Sequence, residues 1–395
     1  MKLLVFRKLP TLWGALCLSG LLLTPACTRR TPTPGVTDLE VLGVEKGYQW
    51  SLPRGFPIPV TPPDNPMTSA KVELGRRLFY ETRLSLTGDY SCASCHRQEL
   101  AFTDGRAQAL GATGELHPRS AMSLTNVAYN LTLTWADPAV GTLEAQSLVP
   151  MLNVEPVELG LEGREEQVMA SLAADPSYLE SFQKAFPRME NPISLRTITQ
   201  ALASFERTLL SFNSAYDRLV FLGEEEALGR SARKGMELFF SAKTGCSKCH
   251  TGINFSGPMI HRARRHEKAR FHNTGLYNLE QRGLYPAEDQ GLFKVTEKKR
   301  DMGAFRAPTL RNVSLTAPYM HDGSIATLEE VIDHYAAGGR TIEEGSRRGV
   351  GRDNRYKDRL LRGFQLDPGD REALVAFLKS LTDWDFVRNP QFAAP

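Results

Sequence analysis

The chain has 395 residues, 41% hydrophobic and 24% charged, with a formal net charge of +3. That length is too great for one small core and predicts two domains, while the composition is that of an ordinary globular protein. So slight a charge excludes the concentrated basic face of a nucleic-acid binder; the runs RRHEKAR (264–270) and KKR (298–300) read as solvated loops in preference to a docking patch for an acidic partner.

The first segment has the layout of an export signal. Lys2, Arg7 and Lys8 form a charged start, and residues 12–23 are apolar but too few to span a bilayer comfortably. The segment ends in LTPAC, which resembles a bacterial lipoprotein signal whose Cys27 becomes the lipidated first residue. Thr24 and Pro25 depart from that pattern, and ordinary secretory cleavage and an uncleaved anchor are the alternatives. Residues 1–27 are therefore expected to be a signal peptide of lipoprotein type. The mature chain is expected in the periplasm, tethered to the membrane through Cys27. Residues 28–66 are rich in Pro, Thr and Gly and read as a tether and extended arm, since PRGFPIPVTPPDNP (53–66) cannot form a helix interior.

From Thr68 the pattern turns helical. A Thr cap precedes KVELGRRLFYE, whose apolar residues recur near helical spacing. SARKGMELFFSAKTGCSKCH (231–250) repeats the order of SAKVELGRRLFYETRLSLTGDYSCASCH (69–96): Ser-Ala, a basic amphipathic helix with Gly before Leu-Phe, a loop, then CxxCH. This internal repeat predicts domains over 67–225 and 226–395. Between the two copies, residues 194–219 read as one long amphipathic helix. Convincing strand alternation is hard to find, so the fold is expected to be mainly α with long loops.

Six cysteines in an exported chain would suggest disulfides, but Cys17 lies in the signal and Cys27 is the lipid candidate. The other four form CASCH (92–96) and CSKCH (246–250). Cys92 with Cys95, and Cys246 with Cys249, can form thioethers to the two vinyl groups of a haem, and His96 and His250 then supply the proximal nitrogen. Zinc or a redox dithiol explains the matched helical context less well. The expectation is two cytochrome c-like haem domains with two covalently bound haems. An iron with two strong side-chain ligands passes electrons, whereas one with an open face binds peroxide, so the sixth position decides function.

For the second haem, Thr327 and Glu330 form a capping box, and Leu328, Val331, Ile332 and Tyr335 fall at i, i+3, i+4 and i+7. Spacing alone favours Tyr335 as a core residue with a satisfied hydroxyl over Tyr335 as an iron ligand. Met320, just before the turn His321-Asp322-Gly323, is the rival ligand.

The order CxxCH, long insertion, CxxCH, then APTLRNVSLTAPYMHDGSIATLEEVIDHY (307–335) resembles the bacterial dihaem cytochrome c peroxidase superfamily over roughly residues 68–385. In those peroxidases the methionine ligand of the electron-transfer haem lies fourteen residues after the histidine of the HDG turn, and counting from His321 reaches Tyr335. The resemblance therefore points to the MauG/MbnH branch, with MbnH nearer, where this ligand is a tyrosine. It implies an open face on the His96 haem, because Ala112 stands where the blocking histidine of many peroxidases falls; His117, five residues on, is a poor substitute before Pro118. It further implies that Trp135, 39 residues after His96, bridges the haems. In EAQSLVPMLNVEPVELG (144–160) it implies distal roles for Gln146, Pro150 and Glu158, with Glu158 as acid/base and Glu155 as the alternative. A calcium between the haems would use Thr316 and Pro318 carbonyls, with Ser120 in place of the usual asparagine. His272 and His321 match positions near the second haem that hydrogen-bond and do not ligate iron.

The function so implied is a peroxide-dependent dihaem oxidoreductase that forms a high-valent two-haem state and oxidises a residue, a tryptophan, on an exported partner protein. The alternative is a cytochrome c peroxidase reducing hydrogen peroxide to water with electrons from a small cytochrome. A purely electron-carrying protein would need both irons saturated, which Ala112 argues against.

Overall fold

A computed structural model describes residues 39–45 and 48–395; the expected signal peptide, with Cys17 and Cys27, lies outside the described residues. Thr68 starts the first helix as its sequence suggests, its Oγ1 accepting from the Lys71 amide at 3.2 Å. The first half holds α1 (Ser69–Phe79), a single turn α2 (Cys92–Cys95), α3 (Leu143–Leu152), α4 (Glu165–Ala173), α5 (Pro176–Ala185), α6 (Leu195–Glu206) and α7 (Ala215–Leu222). The second holds α8 (Arg230–Phe240), α9 (Phe293–Thr296), α10 (Leu328–Ala337), α11 (Asp370–Lys379) and α12 (Trp384–Val387). Among the described residues strands are few and make three antiparallel two-stranded ribbons: β1 (Leu39–Glu45) with β2 (Tyr48–Pro53), β3 (Phe271–Asn273) with β4 (Ala304–Arg306), and β5 (Thr341–Ile342) with β6 (Gly349–Val350). No helix among the described residues is long and apolar enough to cross a membrane.

Two expectations need correction. Within the stretch read as a tether, residues 39–45 and 48–53 form the first ribbon, and Trp50, Leu52, Phe56 and Met67 bury themselves in a core cluster with Val72, Leu210 and Phe221 packed against it. Aromatic burial anchors this arm although prolines deny it a helix. The single helix expected over 194–219 is two, because Asn126 Oδ1 accepts the Ser211 amide at 2.6 Å and Asp383 Oδ2 accepts the amides of Phe212 and Asn213 at 2.9 Å each. Those distant side chains capture donors a continuous helix would use, and Ser214 then caps α7 with a capping box closed by Asp217.

α1 packs on α6, and α8 on α11, by the same device. A Cβ at Gly75 would lie 2.0 Å from the Ala201 carbonyl oxygen and 2.9 Å from Phe205 Cβ; at Gly235 it would lie 1.9 Å from the Ala373 carbonyl oxygen and 2.8 Å from Phe377 Cβ. Only glycine lets these backbones approach so closely. The halves, Leu39–Pro395 together, pack as one unit. Part of the stitching is a fully buried bidentate pair, Arg311 to Asp217 of α7, at 2.7 and 2.8 Å.

Backbone collisions at those distances predict that Gly75→Ala and Gly235→Ala each lower stability by about 3 kcal/mol or more. Chemical denaturation of the two variants measures this, and a loss below about 1 kcal/mol in either would show that the pair can part without penalty.

Candidate haem centres

Each CxxCH begins in a tight turn that presents its imidazole the same way. In α2 the side chains of Ser91 and Ser94 exchange cap bonds, and the His96 amide donates to the Cys92 carbonyl at 3.0 Å. The second motif is a 3₁₀ turn, Cys246–Lys248, with the His250 amide donating to the Cys246 carbonyl at 3.1 Å. His96 Nδ1–H then donates to the Phe102 carbonyl at 2.8 Å and His250 Nδ1–H to the Phe255 carbonyl at 2.7 Å. Burial lowers both imidazoles' affinity for protons, His250 to a pKa of about 4. A neutral ring with Nδ1–H committed to the backbone leaves the Nε2 lone pair for a metal.

The first motif opens on a cavity lined by Cys92, Cys95, His96, Trp135, Gln146 and Glu158. The second opens on a cavity lined by Cys246, Cys249, His250, Met320, Tyr335 and, again, Trp135. All four thiols are free of disulfides. One further feature tests whether haem fits. Arg306, on β4, lines both cavities, is 9% exposed, and has no carboxylate partner among the described residues; its Nε donates to the Thr134 carbonyl at 3.0 Å. Burial alone pulls its pKa down to about 10. A buried guanidinium without an anion is costly, and the propionates of a haem in either cavity are the anions that would fit. The donor set and this unbalanced cation both match haem.

Local backbone explains the distal side of the first cavity. Thr142 caps α3, its Oγ1 accepting from the Ala145 amide at 3.2 Å. Pro150 inside α3 cannot donate to the Gln146 carbonyl four residues back. After α3 the chain folds back: the Leu159 amide donates to the Pro150 carbonyl and the Leu161 amide to the Met151 carbonyl, both at 2.8 Å, and the Ala112 amide donates to the Glu158 carbonyl at 2.7 Å. This tethers Glu158 beside Gln146 and Pro150 on the cavity wall, whereas Glu155 is exposed. Burial without a charged partner pushes the Glu158 carboxyl up to about 7. Ala112, with only a methyl side chain, is not among the residues lining the cavity, whereas His117 lines it with Nε2 3.9 Å from Glu158 Oε1.

On the second side, α10 begins at the expected Thr327–Glu330 capping box. Tyr335 lines the cavity with Leu328, Val331 and Ile332. Its hydroxyl makes no hydrogen bond among the described residues, and burial, then the Cys249 and Cys246 thiols, hold its pKa above the usual phenol value. A neighbour satisfying that hydroxyl, which a pure packing role requires, is missing. Met320, at φ 72°, lines the same cavity. His272 Nδ1 lies 2.5 Å from Asp358 Oδ2, and His321 stacks on Phe305 at 3.7 Å between ring centroids. Of the residues read as calcium ligands, Ser120 donates its amide to the His321 carbonyl at 2.8 Å and its hydroxyl to the Met320 carbonyl at 3.3 Å, while Thr316 Oγ1 donates to the Val313 carbonyl at 3.1 Å. No group of three or more His, Cys, Asp or Glu among the described residues could hold a metal ion.

Three residues escaped the sequence reading. Arg306 carries no spacing signal. Glu206, within SFERTLL, lines the first cavity, is buried, and leaves Oε2 without a partner, its carboxyl raised to about 8 by burial; a carboxylate on the buried face of an apolar helix was the clue. Arg119, bidentate to Asp289 at 2.7 and 2.8 Å, braces the loop carrying His117 and Ser120.

Residues 69–226 match the family described as di-haem cytochrome c peroxidase. MauG of Methylorubrum extorquens is 31% identical over 370 residues, 93% of each chain. The chain belongs to the di-haem cytochrome c peroxidase family. Cytochrome c551 peroxidase of Pseudomonas aeruginosa is 30% identical over 317 residues, 80% of each chain. Among solved structures, a MauG-like protein associated with microbial copper homeostasis aligns with TM-score 0.86 and 45% identity, covering 88% of this chain and 99% of that one. Membership makes the chain an oxidoreductase with two c-type haems. Cys92→Ser combined with Cys95→Ser should therefore lower covalent haem from two per chain to one in the pyridine haemochrome assay, leaving the second-site absorption in place; an unchanged count would show that these thiols do not carry haem.

Proposed function

We propose that this chain uses hydrogen peroxide to withdraw electrons from a residue, a tryptophan, on an exported partner protein, with haem domains over 67–225 and 226–395 related by an internal repeat. The observation that carries this reading is the contrast between the two cavities. In the first, Ala112 holds the sequence position of the family's blocking histidine and has no group that could bind a metal, and the ring of His117 on the cavity wall is tied at Nδ1 to the Arg119 amide. The second presents Tyr335 with an unengaged hydroxyl. Bound haem supplies the redox-active iron at each centre, and an anionic phenolate favours its higher oxidation states over the lower ones.

The chain's own residues supply the proton chemistry and the path. Splitting one peroxide to two waters consumes two electrons and two protons, and the electrons come from the partner. Glu158, with a pKa near 7, exists in both forms at neutral pH, so it can take a proton from one peroxide oxygen and return it to the other. Gln146 beside it can orient the peroxide by its amide. Trp135 faces both cavities, its Nε1–H fixed on the Ser120 carbonyl at 3.1 Å and its own carbonyl held by the Arg306 amide at 2.9 Å. An indole so held can pass a positive charge between the two centres. A periplasmic location, with a lipid on Cys27, agrees with the export signal.

A second reading rests on Met320, which shares the cavity with Tyr335. If Met320 ligates the second iron, the chain is a conventional cytochrome c peroxidase drawing electrons from a small cytochrome. Stoichiometric peroxide added to the fully ferric protein distinguishes the two. Mössbauer spectra should show both irons oxidised beyond ferric without any reductant, and Tyr335→Phe should abolish low-spin ligation of the second haem. No change until one haem is reduced, or an unaltered spectrum in the variant, would sink the proposal. Glu158→Gln should slow the peroxide step about 10²- to 10⁴-fold. In the wild type that step should speed up as pH rises through about 7, the range in which Glu158 ionises, and in the variant this rise should vanish.

A further inference from the structure

His117 stands on the loop that borders the first cavity, and its ring is oriented by the backbone. The Arg119 amide donates to His117 Nδ1 at 3.2 Å. Nδ1 is therefore an acceptor, which puts the ring proton of neutral His117 on Nε2. Nε2 faces Glu158 Oε1 at 3.9 Å, a gap longer than a hydrogen bond. Both residues line the cavity, with 27% and 33% of their side chains exposed, so neither is locked in a solid core.

Neighbouring charges act on His117 but none forms an ion pair with Glu158 among the described residues. His117 is the one cationic-type group within ion-pair distance of Glu158 among the described residues. On the same loop Glu115 is engaged, its Oε2 accepting the Val157 amide at 2.9 Å. Arg119 is spent on Asp289, which also has His321 Nε2 at 3.8 Å. The Cys95 thiol lies across the cavity wall, with Asp104 and Arg106 near it. Burial, then Arg119, lower the pKa of His117, so it meets Glu158 as a neutral donor.

We propose that His117 is a positioning residue for Glu158: when Glu158 gives up its proton, His117 Nε2–H closes the gap and donates to the carboxylate. This deepens the proposed function and rests on it for the role of Glu158. It also gives His117 a use other than iron ligation, since a ring tied at Nδ1 and turned to Glu158 offers no lone pair to a metal. The consequence is thermodynamic. A donor to the charged form lowers the pH at which Glu158 ionises relative to the same burial without that donor.

The test is an infrared titration of the resting ferric holoprotein, with the Glu158 carboxyl band identified by its loss in Glu158→Gln. His117→Leu should move the midpoint of that band upward by about one pH unit, a tenfold change in the ionisation equilibrium. His117→Gln keeps an N–H donor at similar reach and should hold the midpoint near the wild-type value. The pH at which the peroxide step accelerates should shift in parallel. A midpoint unmoved in His117→Leu overturns the proposal, and so does an equal shift in both variants, which would mark a steric role. Failure of the underlying reading looks different: Glu158→Gln would then leave the peroxide step untouched, whatever the infrared midpoints do.

Discussion

Everything at the two centres depends on a carbonyl aimed at an imidazole, and aiming it requires an unfavourable backbone. The accepting carbonyls belong to Phe102 at φ 62° and Phe255 at φ 50°, bulky residues in the left-handed region. Such a conformation costs about 1–2 kcal/mol for an L-residue. It persists because both rings are locked in aromatic clusters. Phe102 sits edge-on to Phe79, Phe386 and Phe392, and Phe255 edge-on to Tyr216, Phe239 and Phe377. The aromatic core thus holds the carbonyl, the carbonyl fixes the ring, and the ring presents Nε2 to its cavity. The glycines of α1 and α8 belong to the same construction, since they bring Phe79 and Phe239 into those clusters.

Between the centres the problem is electrostatic. Trp135 and Arg306 share both cavity walls and are bonded through the backbone. A cation beside an indole opposes positive charge on it, so a path through Trp135 needs Arg306 neutralised. Among the described residues no carboxylate pairs with Arg306, whose guanidinium reaches only the Thr134 carbonyl and the Met122 sulfur. Haem propionates would balance Arg306 in place of a protein acid, which links haem occupancy to the electrostatics around Trp135.

What could be read from the sequence was what covalent spacing or one helix's periodicity encodes. The two CxxCH motifs, the Gly before Leu-Phe, the Thr68 cap and the Thr327 capping box all act within a dozen or so residues, and the structure has them. What could not be read depends on partners far along the chain. The break between α6 and α7 is imposed by Asn126 and Asp383. A second pair of matching segments, LTNVAY (124–129) and LRNVSL (310–315), went unnoticed because its signal is a conformation: Asn126 and Asn312 both adopt positive φ, and their amides donate to the Leu209 and Leu381 carbonyls. In the site, Glu158 and Tyr335 were reached by counting along a resemblance, whereas Glu206 and Arg306 matter through burial that no local pattern announces.

The matched frames also explain where the differences must lie. Helix pairs, cysteines, imidazole and aiming carbonyl are alike in both halves, so they cannot make one centre differ from the other. The distal walls come from unrelated segments. In the first half they come from the loop through Ala112 and His117 and from the fold-back after α3, which together bring Gln146, Glu158 and His117 to the cavity. In the second they come from α10, whose apolar face carries Leu328, Ile332 and Tyr335. Glu158 and His117, groups able to move protons, stand on the first wall, whereas Tyr335 stands beside Leu328, Val331 and Ile332 of α10, with His272, His321 and Arg306 elsewhere on the second wall. Peroxide chemistry needs the former. On the proposed function, a centre that holds and passes charge is served by the latter, where the α10 side chains lining the wall beside Tyr335 carry no proton to give.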